Sequence, residues 1–162
     1  METNNKMVIL QGIPGSGKST YAEKLLATVK SGIIASADKY FTSATGKYDF
    51  NPSKLGEAHE DCFGDVTYHG MMFTEYPGIY KDAMIIVDNT NLTKWEYWPY
   101  IMLARYWDME IEFHRMVCSF ETALSRQTHG VPKNTLHRMY TTIKQLNTKD
   151  VHGMKLVLVN TD

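Results

Sequence analysis

In Gly12-Ile13-Pro14-Gly15-Ser16-Gly17-Lys18-Ser19-Thr20 the first eight residues follow the pattern G-x-x-x-x-G-K-[ST]. Each residue type has a physical job. The glycines let the backbone turn and come close to an anion with no side chain in the way. Successive N–H groups then converge on phosphate oxygens at a helix N-terminus, where the partial charge is positive. Lys18 reaches the outer phosphates, and the Ser19 hydroxyl is a magnesium ligand. Gly12, Pro14, Gly15, Ser16, Gly17, Lys18, Ser19 and Thr20 are therefore the candidate nucleotide-binding set, and ATP with Mg2+ is the expected pair of ligands.

Two carboxylates extend this chemistry. Asp88 follows the apolar run Met84-Ile85-Ile86-Val87. A strand ending in Asp beside a phosphate loop suits magnesium, held directly or through water. The segment Asp88-Asn89-Thr90-Asn91 is equally good capping and turn chemistry. Asp38, in Ser36-Ala37-Asp38-Lys39-Tyr40, follows another apolar run. A carboxylate there can take the proton of an attacking hydroxyl or orient it, or it can simply cap a turn. Arg126, His129, Lys133 and Arg138 cluster late in the chain. On a closing segment, basic groups would neutralise charge on a phosphoryl group in transfer; on an exposed helix they would be a solvated face. Lys18, Asp38 and Arg126 are the candidate catalytic groups.

These groups need strands to carry them. Residues 7–11, 32–37, 83–87, 110–117 and 155–159 read as five buried strands. Residues 18–30, a segment opened by Pro52, 93–107, 121–127 and 132–146 read as helices. Residues 40–51 are polar and turn-rich. Strands alternating with helices predict an α/β fold, with a parallel five-stranded sheet covered by helices on both faces. Ligands gather at the carboxyl ends of such strands, which is where each motif above falls. Residues 126–132 are the expected short lid of a single domain.

The bulk composition agrees. A chain of 162 residues, 43% apolar and 22% charged, can fold as one domain with a full core. The net charge of -1 argues against a protein that coats duplex DNA, but suits a nucleic-acid end or a small acceptor. Cys62 and Cys118 form no CxxC pair, which favours a reduced, cytoplasmic setting. His59 and Cys62 share a helical face, but two ligands make no zinc site, and core packing is the simpler role. No signal peptide is expected ahead of Met7, and no apolar run approaches the ~20 residues a membrane span needs. No obligate protein partner is evident.

Taken together, the phosphate loop, Ser36-Ala37-Asp38-Lys39-Tyr40-Phe41, Ala58-His59-Glu60-Asp61-Cys62, Val87-Asp88-Asn89-Thr90-Asn91, His129-Gly130-Val131-Pro132 and Arg138-Met139 resemble the polynucleotide 5′-hydroxyl kinase group of P-loop kinases. The kinase half of the bacteriophage polynucleotide kinase and the kinase domain of the Nedd4-binding protein 2 family carry similar segments. The resemblance spans nearly the whole chain and implies ATP-dependent phosphorylation of a nucleic-acid 5′-hydroxyl. It implies Asp38 as general base, Asp88 as a magnesium or acceptor-positioning group, and Arg126 and His129 as basic lid residues. On the acceptor side it points to Tyr40, Phe41, Asn89, Thr90, Asn91 and His129. One departure is Phe41, which stands where the phage enzyme places an arginine that grips acceptor phosphate; an aromatic there suggests base stacking instead. No D-x-D-x-T phosphatase segment is present.

Residues 95–107 also hold an aromatic stripe, Trp95, Tyr97, Trp98, Tyr100, Tyr106 and Trp107, which is either core packing or a stacking surface for bases. Three functions therefore compete: a nucleic-acid 5′-kinase, a kinase acting on a sugar, nucleoside or antibiotic hydroxyl, and an ATP-binding switch with little transfer.

Overall fold

Strand β1 (Lys6–Gln11) divides the core in two. Met7 and Ile9 point to one face, Val8 and Leu10 to the other, and all four are fully buried. Only a sheet covered on both sides allows this. On the Met7 face, Ile85, Val87 and Phe113 pack against Ala58, Cys62, Val66, Tyr100 and Ile101 from two long helices. On the Val8 face, Met84, Ile86 and Met116 pack against Ala22. The computed structural model describes residues 4–162, so the segment expected to hold no signal peptide lies partly outside the described residues.

The other strands are β2 (Gly32–Ala35), β3 (Met84–Val87), β4 (Glu110–Val117), β5 (Asp150–Val151) and β6 (Met154–Asn160). Their order across the sheet is β2-β3-β1-β4-β6-β5, with every pairing parallel except β5 with β6. The expected five parallel strands are thus six, with a short antiparallel strand at one edge. Two residues are too few to show periodicity. The hairpin does have a local cause: His152 and Gly153 both take positive φ, 52° and 77°, as a tight two-residue turn of that hand requires.

The helices are α1 (Lys18–Leu26), α2 (Leu55–Glu75), α3 (Lys94–Tyr106), α4 (Phe120–Arg126) and α5 (Lys133–Gln145). Pro52 opens a single 3-10 turn, Pro52–Lys54, ahead of α2, and the Asn51 side chain caps it. Thr93 and Glu96 form a reciprocal capping box at the start of α3. The second strand ends at Ala35 rather than residue 37, because the Ser36 hydroxyl accepts from the Asp38 N–H and starts a 3-10 helix, Ala37–Phe41. Among the described residues no helix is long and apolar enough to cross a membrane.

Packing absorbs most of the aromatic stripe. Tyr97 and Tyr100 are buried. The Trp107 ring lies so close to Gly70 that a Cβ there would sit 2.1 Å from it. Trp95 and Tyr106 are the exceptions, at 72% and 83% exposed.

Candidate active site

Register places the site. Ala35 of β2 lies level with Val87 of β3, and Val87 with Ile9 of β1. The residues that follow these three positions therefore leave the sheet along one edge. The Asp88 N–H donates to the Ala35 carbonyl at 2.8 Å, which fastens the start of one loop to the end of the neighbouring strand. The phosphate loop, Asp38 and Asp88 emerge side by side for this reason.

Helix α1 starts at Gly17, whose φ of 85° is costly for any residue with a side chain. It has no capping side chain and no acidic residue in its first turn, so its positive end is open to an anion. Gly15 is demanded twice over. Its φ is 79°, and a Cβ would meet the Ala123 carbonyl of α4 at 2.1 Å. The loop is pinned from the far side of the sheet by Thr161, whose hydroxyl donates to the Ser16 carbonyl at 2.8 Å.

Lys18 extends back along the loop and donates to the Ile13 carbonyl at 3.1 Å. Burial lowers its pKa, and the nearby carboxylates of Asp88 and Asp38 oppose that shift. The Ser19 hydroxyl donates to Asp88 Oδ2 at 2.7 Å. Asp88 is 6% exposed, and burial raises its pKa against the pull of Lys18 and Ser19. Its other oxygen, Oδ1, is buried with no hydrogen-bond partner, as is the Ser16 hydroxyl. A carboxylate left half-satisfied in a protein interior costs several kcal/mol unless a cation is brought to it. Hard oxygen donors from Ser19 and Asp88 beside a phosphate cradle fit magnesium.

Asp38 faces the same space. Tyr48 donates to its Oδ1 at 3.1 Å, and His129 Nε2 lies 3.8 Å from its Oδ2. The Tyr48 and His129 rings pack with centroids 4.2 Å apart. Burial, then the Asp38 charge, raises the Tyr48 pKa, so its hydroxyl stays a donor. Sequence reasoning missed Tyr48, which lies ten residues from Asp38 in the turn-rich stretch. An isolated bridge between Thr42 and Tyr48 folds the stretch back.

A cleft of about 690 Å³ joins these groups. Pro14, Lys18, Ser19, Thr20, Asp38 and Asp88 line it, and so do Arg126 and His129. The α4–α5 connection is braced internally: the Gln127 side chain accepts from the Val131 N–H at 2.9 Å and donates to its carbonyl at 3.2 Å. Arg126 also donates to the Thr161 carbonyl. Lys133 and Arg138 do not line the cleft; both are exposed on α5.

The acceptor-side candidates divide. Thr90 lines the cleft and donates to Glu96 at 2.8 Å. Asn89 lines it too, but its side chain is engaged elsewhere, accepting from the Ala37 N–H at 2.9 Å and donating to Cys62 Sγ at 3.4 Å. Asn91 is fully buried and donates to the Leu10 carbonyl at 2.7 Å, an internal brace. Phe41, at 6% exposed, is core, and offers no face to a base. Tyr40 is tied to Glu57 at 2.7 Å and stands outside the cleft lining. Phe50, Leu55 and His59, which do line the cleft, were not read as acceptor-side residues from sequence; Trp95, weighed there only as part of an aromatic stripe, lines it too.

Residues 7–146 match the AAA_33 family, described as an AAA domain. The chain is 36% identical over 137 residues to human NEDD4-binding protein 2, a match that covers 82% of this chain and 7% of that protein. Its fold is similar to a chain of the Pnkp1/Rnl/Hen1 RNA repair complex, with a TM-score of 0.63 at 18% identity, covering 89% of this chain and 45% of the other. It is also similar to Chaetomium thermophilum Kti12 bound to ADP-AlF3, with a TM-score of 0.65 at 15% identity, covering 96% and 89%. A Sinorhizobium meliloti gluconokinase shares the fold at a TM-score of 0.52 and 12% identity, covering 98% and 84%. The chain belongs to the AAA_33 family of AAA domains.

Proposed function

We propose that the protein transfers the γ-phosphoryl group of ATP to the 5′-hydroxyl of a nucleic acid. The observation that carries this reading is the position of Asp38, which shares one cleft with Lys18, Ser19 and Asp88 and has its carboxylate held by Tyr48. In the reaction, the acceptor oxygen forms a bond to the γ-phosphorus while the bond from that phosphorus to the β–γ bridging oxygen breaks. The acceptor proton passes to Asp38, and ADP leaves. The transition state is loose, so an ordinary carboxylate is base enough. Lys18 and the α1 N-terminus hold the phosphates, and Arg126 faces the charge that builds on the moving group. Magnesium, held by Ser19 and by Asp88 directly or through water, would neutralise phosphate charge.

The whole-chain sequence resemblance to polynucleotide kinases supports a nucleic acid, and so does the fold shared with a chain of an RNA repair complex. The gluconokinase has the same fold, so a metabolite hydroxyl is the reading to beat. The test is transfer from γ-labelled ATP, with magnesium, to 5′-hydroxyl RNA, 5′-hydroxyl DNA and a panel of sugars and nucleosides. Label on the oligonucleotides is expected. Label on a metabolite with none on either oligonucleotide would overturn the proposal.

A further inference from the structure

Trp95 is the second residue of α3 and stands 72% exposed on the wall of the cleft. Phe50, at 44%, and Leu55, at 42%, line the same cleft. His59 packs against the Trp95 ring, with centroids 6.5 Å apart and planes at 62°. Large apolar groups scattered over a surface need no explanation, but three gathered beside a reactive centre do. Two residues of the α3 stripe are left exposed, Trp95 and Tyr106; Trp95 lines the cleft and Tyr106 does not.

The charge around this wall is equally informative. Among the described residues that line the cleft, the permanent cations are Lys18 and Arg126, and both sit at the phosphate end. The acid nearest Trp95, Glu96, is occupied by Thr90 and by the backbone and hydroxyl of Thr93. Phe41 is buried and adds neither charge nor an exposed ring. A nucleic acid entering here meets aromatic and aliphatic faces and finds little to pair with its phosphates.

We propose that Trp95, backed by His59, forms a subsite that takes a base at the acceptor's 5′ end by stacking, in place of a grip on acceptor phosphate. The proposal rests on the polynucleotide reading above and adds how that substrate is held. Stacking tolerates any base, so the subsite selects for a nucleic-acid end and not for its sequence. Few phosphate contacts mean little counterion release, so acceptor affinity depends only weakly on salt.

The test is steady-state transfer to a 5′-hydroxyl hexanucleotide, and to the same hexanucleotide with abasic residues at its first two positions. Wild type, Trp95→Ala and Trp95→Phe are compared. Trp95→Ala should raise the acceptor KM about tenfold and leave the ATP KM unchanged, while Trp95→Phe keeps most of the affinity. The abasic acceptor should cost wild type a similar factor and cost Trp95→Ala little more, because both changes remove one interaction. An acceptor KM within twofold of wild type for Trp95→Ala, or multiplicative losses with the abasic acceptor, would overturn the subsite while leaving the kinase reading intact. Wild type that labels no oligonucleotide would overturn both.

Discussion

Asp38 and Asp88 are both aspartates at strand ends, yet their surroundings give them different work. Asp88 is buried, with one oxygen bonded to Ser19 and the other without a partner. Asp38 has a side chain 56% exposed, held by Tyr48 and near His129. The first arrangement suits a cation; the second suits a carboxylate that must meet an incoming hydroxyl. Replacing Asp38 by Asn keeps the shape and removes the proton acceptor, so the chemical step should fall by roughly 10²–10⁴-fold with nucleotide affinity almost unchanged. The two aspartates and the glycine loop were legible in the sequence because residue types at strand ends are themselves the signal. Tyr48 was not, since nothing in a polar turn says which ring folds back onto Asp38. Phe41 misled: its place beside the base motif suggested a stacking surface, but burial decides whether a ring is available, and burial depends on Tyr40, Tyr48 and Phe50 closing around it.

At the scale of elements, the site is as well placed as the helices behind it allow. Helices α2 and α3 meet where Gly70 receives the Trp107 ring. Replacing Gly70 by Ala removes a poor helix former, a local gain of about 1 kcal/mol. It also drives a methyl into an aromatic ring, and overpacking of that kind typically costs about 1–3 kcal/mol. The clash should win, because a Cβ 2.1 Å from a ring carbon cannot be relieved without moving one helix. Thermal unfolding of Gly70→Ala should show a lowered Tm; an unchanged or raised Tm would mean the two helices part easily. Periodicity revealed α2 and α3 as helices but did not show this contact, which joins residues 37 positions apart. The edge strand β5 was missed for a related reason: a two-residue hairpin arm is a product of its turn and carries no pattern of its own.

The whole molecule is tied across β1, β4 and β6 by Glu112, which is 4% exposed. It accepts from Lys6 at 2.8 Å, from Lys155 at 2.7 Å and from His114 Nε2 at 2.8 Å. Tyr21 of α1 completes the chain on His114 Nδ1 at 2.7 Å. Burial alone would raise the Glu112 pKa, but these donors outweigh it and hold the carboxyl at about 2, against an ordinary value of 4.5. A depressed carboxylate stabilises the fold above its unfolded pKa, and that contribution fades as the pH falls from about 4.5 towards 2. Burial also lowers the pKa of His114 below 6.5, so its protonation on unfolding adds to the loss below that pH. Glu112→Gln should therefore lower the Tm at pH 7 by roughly 5 °C and narrow the gap to wild type near pH 3; an equal gap at both pH values would dismiss the network as a source of stability. The parallel sheet and its cover on both faces were readable from apolar runs alone, whereas this polar clasp was not, because a strand pattern does not show which lysines of neighbouring strands will meet Glu112. The claim on which the account depends is that the cradle and Asp38 act together on one hydroxyl. Its most direct test is single-turnover transfer from γ-labelled ATP to a 5′-hydroxyl oligonucleotide, measured beside the nucleotide Kd for wild type and Asp38→Asn. The account predicts label transferred by wild type, a loss of at least about 100-fold in the variant, and Kd values within twofold of each other. Transfer by Asp38→Asn at close to the wild-type rate would contradict it.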